Sequence, residues 1–288
     1  KEEDFVNNFI TANTHDDLLF FTDKGKAYQI KAYDLPEGKR ATKGKSIANF
    51  LSILDGEKVT SALVFPNKLK NLEARLLSPL RSLASKSDLS LVMVTKNGII
   101  KKSDIESFKD VRRNGIIAIK LDKNDELRFT FLASKGDNVI VATKKGQSIM
   151  FKESDVRVMG RSAGGVRGIK ISSGDEIVGA DVVQPKDKDQ FMLTMSSIGF
   201  GKKTKLKDYR LQKRGGSGIK TAKITAKTGQ LVIAKVVDPE FEELIAISQK
   251  GQVIRTPLSG IPVLGRQTQG VRIMKLKQGD SIASLTCL

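Results

Sequence analysis

Apolar runs closed by a Thr or Ser, two further residues and a glycine recur five times along the chain. They are "LLFFTDKG" ending at Gly25, "LVMVTKNG" at Gly98, "VIVATKKG" at Gly146, "LTMSSIG" at Gly199 and "LIAISQKG" at Gly251. Each reads as a short strand turning through glycine into a hairpin. Further on lies a second strand-like run: "IIAIKL" (116–121), "VRGIKI" (166–171), "IKTAKI" (219–224) and "VRIMKL" (271–276). A last run closes every unit: "KVTSALVF", "ELRFTFL", "EIVGADVV", "QLVIAKVV" and "SIASLTCL". A sixth ending, "DFVNNFITAN" (4–13), has no hairpin before it, which predicts a chain that begins partway through a repeat.

The units are about 50 residues long with about four short strands each, too small to bury an apolar face alone. Stacking them side by side predicts an all-β, propeller-like ring. The expected division is a closing strand at 1–15, then blades at 16–65, 88–136, 137–188, 189–242 and 243–288. One segment breaks the rhythm. "PNKLKNLEARLLSPLRSLASKS" (66–87) stretches the Thr22–Thr95 spacing to 73 residues, against 48 to 53 elsewhere. Its leucines at 69, 72, 76, 80 and 83 have helical spacing interrupted by Pro79, so it reads as a basic insert, helical or an extended loop.

Composition narrows the function. At 39% apolar the chain can bury a core, while 50 Lys and Arg against 32 Asp and Glu leave a net charge of +18. That excess calls for a polyanionic partner, nucleic acid before an anionic membrane surface. No apolar run spans a bilayer and no signal pattern opens the chain, so a cytoplasmic protein without a membrane partner is expected. With one histidine, His15, and one cysteine, Cys287, neither a Cys/His zinc site nor a standard nucleophilic dyad can be assembled. The absence of Trp argues against binding single strands by base stacking.

The cations fall in register. Eighteen residues after each hairpin Thr or Ser stands an arginine: Arg40, Arg113, Arg161, Arg214 and Arg266. In four units a glycine follows four residues later, at Gly44, Gly165, Gly218 and Gly270; the remaining unit has Arg112, Arg113 and then Gly115, which predicts a loop two residues shorter. Lys43 and Lys45 accompany Arg40, and Lys213 accompanies Arg214. Five residues past the loop glycine lie Lys120, Lys170, Lys223 and Lys275, flanked by apolar residues, so strand alternation turns these lysines outward. Arg167, Lys220 and Arg272, two past the glycine, have inward parity and reach the rim only if the regular strand begins after them. A further set follows the hairpin turns: Lys26, Lys101, Lys102, Lys202, Lys203 and Arg255. Together these would form a cationic belt suited to the evenly spaced phosphates of a duplex. "GKRATKGKS" and "GRSAGGVRG" miss the spacing and the strand-to-helix setting of nucleotide-binding loops. The stretch "QKRGGSGIK" (212–220) reads instead as a basic loop whose glycines let the backbone turn tightly and approach phosphates.

"QKRGGSG" (Gln212, Lys213, Arg214, Gly215, Gly216, Ser217, Gly218) resembles the seven-residue box of the DNA gyrase A family of bacterial type IIA topoisomerases. "DDLLFFTDKGKAYQIKAYDLPEG", "DVRVMGRSAGGVRGIKI" and "GRQTQGVRIMKL" resemble other parts of that family's C-terminal domain. The resemblance implies a six-bladed β-pinwheel whose blades exchange strands and around whose perimeter DNA wraps, giving the handed crossing needed for negative supercoiling. It implies a non-catalytic domain, located with the nucleoid, that partners double-stranded DNA, the rest of the gyrase A protein and the gyrase B protein. It implies no cofactor here, ATP and Mg serving the rest of the enzyme. The family's box lies in the first blade, whereas "QKRGGSG" is in the fifth unit when the half-unit is counted first, so the principal box is expected upstream of Lys1. The competing readings are the equivalent topoisomerase IV domain, which binds DNA but wraps it less, and a propeller that binds proteins.

Overall fold

The structure is a computed structural model that describes residues 12–38, 44–65, 88–185 and 189–287. The insert at 66–87 and nearly all of the closing strand expected at 1–15 lie outside the described residues. The first unit supplies β1 (Asp17–Thr22), β2 (Lys26–Lys31) and β3 (Val59–Phe65). The second supplies β4 (Leu89–Thr95), β5 (Ile99–Asp104), β6 (Ile116–Ile117) and β7 (Leu127–Ser134). The third supplies β8 (Asn138–Thr143), β9 (Gln147–Lys152), β10 (Val166–Arg167) and β11 (Ile177–Val183). The fourth supplies β12 (Phe191–Ser196), β13 (Phe200–Lys205), β14 (Ile219–Lys220) and β15 (Leu231–Val237). The fifth supplies β16 (Glu243–Ser248), β17 (Val253–Pro257), β18 (Val271–Arg272) and β19 (Ile282–Cys287).

Sheets and repeats do not coincide. The orders are β3-β1-β2-β6, β7-β4-β5-β10, β11-β8-β9-β14, β15-β12-β13-β18 and β19-β16-β17. The fourth strand of each of the first four sheets therefore comes from the following unit. Among the described residues there are five sheets, which corrects the expectation of six blades. The runs read as full third strands are also corrected. Only two residues of each pair with the sheet, after which the chain leaves the edge.

The hairpin motif explains how the exchange is anchored. In the second to fifth units the Thr or Ser hydroxyl accepts a bond from the backbone N–H four residues on, as Thr95 does from Ile99. The turn glycine takes a left-handed conformation, φ +81° at Gly98, that a side chain would strain. Its carbonyl then accepts N–H groups of the next unit: Gly98 from Gly168 and Ile169, and Gly199 from Ile273 and Met274. A Cβ at Gly98 would meet the Ile169 carbonyl at 3.0 Å, so the close approach also requires glycine.

The cores lie between sheets, as expected for units that cannot bury a face alone. Leu19, Phe21, Leu91, Met93 and Phe108 fill the space between the first and second sheets. Val92, Val94, Val139, Val141 and Phe151 do so between the second and third. Two further clusters follow, around Met192 and Leu193. Hence β1 and β8 are apolar on both faces and buried throughout. The other face of the first sheet is covered by Leu51, Phe50 and Ile47 of its own unit. The closing strands β3, β7, β11, β15 and β19 line a shared central channel. The borrowed strands lie at the opposite edge of their sheets and form the perimeter.

Candidate nucleic-acid interface

The loop entering each borrowed strand runs along the outer edge of the preceding sheet. Val158, Leu211 and Val263 make parallel bridges with Lys102, Met150 and Lys203 of the outer hairpin strands. The loop then turns through a left-handed glycine, and the next two residues pair antiparallel with the start of the same hairpin strand. In the second unit Gly115 occupies this place, in a shorter loop packed on Tyr28.

Neighbouring loops also bond to each other. Lys120 N–H donates to Ala163 O (3.2 Å), Gly215 N–H to Gly168 O (2.6 Å), Lys170 N–H to Gly216 O (2.8 Å) and Lys223 N–H to Thr268 O (3.1 Å). Two of the loop arginines join the same chain: Arg214 donates to Asp155 O and Arg167 O, and Arg266 to Lys220 O. The perimeter is thus a continuous backbone ribbon from the second unit to the fifth. Along it Arg112, Arg161, Arg167, Lys170, Lys120, Lys213, Lys220, Lys223, Arg272 and Lys275 are exposed. Arg214 and Arg266 are half-buried, their guanidinium groups partly used in bridging the loops. Arg272 lies over the Phe200 ring at 5.2 Å and Arg266 over Tyr209 at 6.0 Å, contacts that orient both side chains.

The rim placement of Arg167, Lys220 and Arg272 has a different cause from the one expected. The regular strand ends with these residues instead of beginning after them, and as outermost strands they pair with no further strand among the described residues. Lys45 is exposed in the first unit, whereas Arg40 and Lys43 lie outside the described residues. Arg113 is exposed but paired with Asp34 at 3.1 Å, and Arg255 is paired with Glu243. Lys26 is half-buried, close enough for its charge to act on the Glu57 carboxylate.

Four of the expected surface lysines are corrected. Lys101, Lys102 and Lys202 are buried and Lys203 is half-buried. The Lys101 ammonium donates to Ala118 O (2.6 Å) and Arg161 O (2.5 Å). Lys202 donates to Gly265 O (2.7 Å), Arg266 O (2.6 Å) and Thr268 Oγ1 (3.0 Å). Each therefore holds the next unit's arginine loop from beneath. Burial, and secondarily the neighbouring Arg161 or Arg266 charge, pushes both ammonium groups down to about 8. Lys102 faces the other way and pairs with buried Glu153 at 3.1 Å. Lys203 donates to Leu258 O (2.6 Å), and burial lowers its pKa as well. A signal for this was present in the chain. The residue three past the hairpin glycine is Tyr28, Ile149 or Ile254 in the other units, which marks an inward position.

The glycines of "QKRGGSG" divide by role. Gly215 (φ +83°) makes the turn, where a Cβ would be in ordinary contact with Arg167 O at 3.5 Å, and Gly216 lies over Ile149. Gly218 (φ +73°) is required by the crossing of the hairpin. A Cβ there would sit 2.3 Å from Ser148 O of the hairpin it crosses.

The family model for the DNA gyrase C-terminal domain, a β-propeller, matches residues 16–66, 90–134, 137–184, 190–238 and 242–288. Among curated relatives, the DNA gyrase A protein of Staphylococcus epidermidis is 37% identical over 284 residues, covering 99% of this chain and 30% of the relative. The Staphylococcus aureus protein is 38% identical with the same coverage, so the chain spans about a third of these relatives' length. A solved DNA gyrase A C-terminal domain superposes with a TM-score of 0.76 at 26% identity, covering 96% of this chain and 84% of that one. The C-terminal domain of DNA topoisomerase IV superposes with a TM-score of 0.80 at 23% identity, over 96% and 80% of the two chains, a likeness of fold.

Proposed function

Because the chain belongs to the DNA gyrase C-terminal β-propeller family, we propose that it binds, bends and wraps double-stranded DNA around its perimeter in a handed, sequence-independent way. The observation that carries this reading is the hydrogen-bonded ribbon of perimeter loops with cations at one offset per repeat. A rigid ribbon fixes the spacing of the charges before DNA arrives, so little ordering is needed on binding. Backbone phosphates repeat regardless of sequence, and such contacts position a duplex without reading its bases. Bending about 40 base pairs through half a turn costs on the order of 10 kcal/mol for a persistence length of roughly 150 base pairs. About ten phosphate contacts, each releasing counterions, offset that at low salt. In this reading the domain is non-catalytic, and works in the bacterial cytoplasm with the rest of the gyrase A protein and with the gyrase B protein, where ATP and Mg are used.

The test is a topology assay. Nicked circles are saturated with the protein, ligated and deproteinised, and the linking number is read on a gel. A positive shift that disappears at high salt is expected. Salt-sensitive binding with no shift would refute wrapping and leave the topoisomerase IV-like reading. No salt-sensitive binding at all would refute the DNA reading itself.

A further inference from the structure

Three exposed aliphatic side chains recur at one position of the perimeter loops. Val158, Leu211 and Val263 are 56%, 48% and 44% exposed. Each stands three residues before a loop arginine, Arg161, Arg214 or Arg266. Their backbones are not free to turn these side chains inward. Each makes a parallel bridge to the hairpin strand beneath, and the next residue's N–H (Met159, Gln212, Leu264) donates to that strand at 2.8 Å. The same sheet edges carry the exposed cations Arg167, Lys220 and Arg272. An aliphatic group held outward among cations gains nothing in the folded protein alone, since its exposed part stays in water.

The edge of the first sheet is built differently. The position of the aliphatic residue is occupied by Asp110, that of the edge cation by Ile117, and Arg113 is neutralised by Asp34. Here Ile117 is exposed without a cation beside it in the strand and Arg112 keeps its charge, but the specific pair of loop aliphatic and edge cation is missing as a unit, as expected if one ligand meets both. The flanking charge selects a polyanion, and the polyanion that also presents apolar surface is a nucleic acid, through the C–H faces of its sugars. When a duplex bends over a rim, the inward-facing groove narrows and brings its sugar edges toward the protein.

Resting on the DNA reading above, we propose that Val158, Leu211 and Val263 are apolar DNA contacts, seated against the sugar faces of the inward groove at three consecutive blade edges. Such contacts release no counterions, so they add affinity without adding salt dependence. The test uses the whole chain with V158S, L211S, V263S and the triple variant, and with L54S as an exposed aliphatic control (61% exposed) away from these loops. Affinity for a 40-base-pair duplex is measured by anisotropy across a salt series, and folding is checked by circular dichroism. Each single substitution should weaken binding about fourfold, the effect of returning about one methylene's worth of surface to water. The triple variant should lose on the order of fiftyfold, with the slope of log K against log salt unchanged and L54S equal to wild type. A triple variant within twofold of wild type, a changed slope, or an equal loss in L54S would overturn the proposal. If wild type itself lacks salt-sensitive binding, the DNA reading fails first, which is a separate result.

Discussion

The two buried lysines beneath the arginine loops make the protein's stability rise with pH over a range where most proteins gain little. The perturbation is titration, with K101M/K202M as the comparison. Both ammonium groups have a folded pKa of about 8 against an ordinary 10.5. The unfolded chain therefore holds more protons between these values, and stability rises as pH increases through the interval. Between pH 7.5 and 9.5 each lysine recovers about 2 kcal/mol, or about 4 for the pair, because each step of one in pH above the folded pKa is worth roughly 1.4 kcal/mol. At about 2 °C per kcal/mol for a domain of this size, the melting temperature should rise by up to about 8 °C. Cys287, whose pKa burial raises from an ordinary 9.0, begins to work in the opposite direction near the top of that window, and Tyr209, raised by burial to about 12, does so above it, equally in both proteins. The approach of the net charge toward zero near the pI of 9.8 also stabilises, but equally in both proteins. The difference between their melting curves, followed by circular dichroism across pH, isolates the lysines. Parallel curves, or a wild-type melting temperature that is flat or falling from pH 7.5 to 9.5, would refute the reasoning.

Other perturbations separate further features of the fold. Burial raises the pKa of the Glu57 carboxyl, but bonds from Thr22, the Leu54 N–H and Tyr28 outweigh burial and hold it below the usual carboxylate value. Its stabilisation is therefore complete above the ordinary pKa of 4.5 and lost as pH falls through the lower folded value. E57A should cost about 3 kcal/mol by urea denaturation at pH 7, and E57Q should flatten the acid limb. G218A should cost about 2–3 kcal/mol, because φ is +73° and Ser148 O is in the way, whereas G160A, with nothing within 4 Å, should leave the urea midpoint nearly unchanged. K102M should destabilise by about 3 kcal/mol by stranding the Glu153 charge, and K102M/E153L should recover most of that. An uncorrected double variant would mean that the pair itself stabilises.

Much of this molecule was legible in one dimension. The Thr/Ser-x-x-Gly motif implied hairpins because a hydroxyl and a left-handed glycine close a turn from local atoms alone. The offset of eighteen residues to each arginine implied a repeated loop, and Lys120, Lys170, Lys223 and Lys275 are exposed as expected, although they lie past the two-residue strands and not within a regular strand. Lys101 and Lys202 show where that reasoning stopped. Their position has the inward parity of Tyr28, Ile149 and Ile254, but the charge of lysine argues for water, and only the next repeat's loop, lying over them, supplies the carbonyls that make them buried donors.

Chain order alone established the repeat, the β class and the register of charge, since these depend on residues a few positions apart. Tertiary structure decided which sheet owns β6, β10, β14 and β18, why Arg167 reaches the rim, and which cations face water. Hydrogen-bond partners and burial are settled by groups some 20 to 90 residues away, as between Gly25 and Ala118 or Lys101 and Arg161. No local periodicity records which distant surface will arrive to cover a side chain.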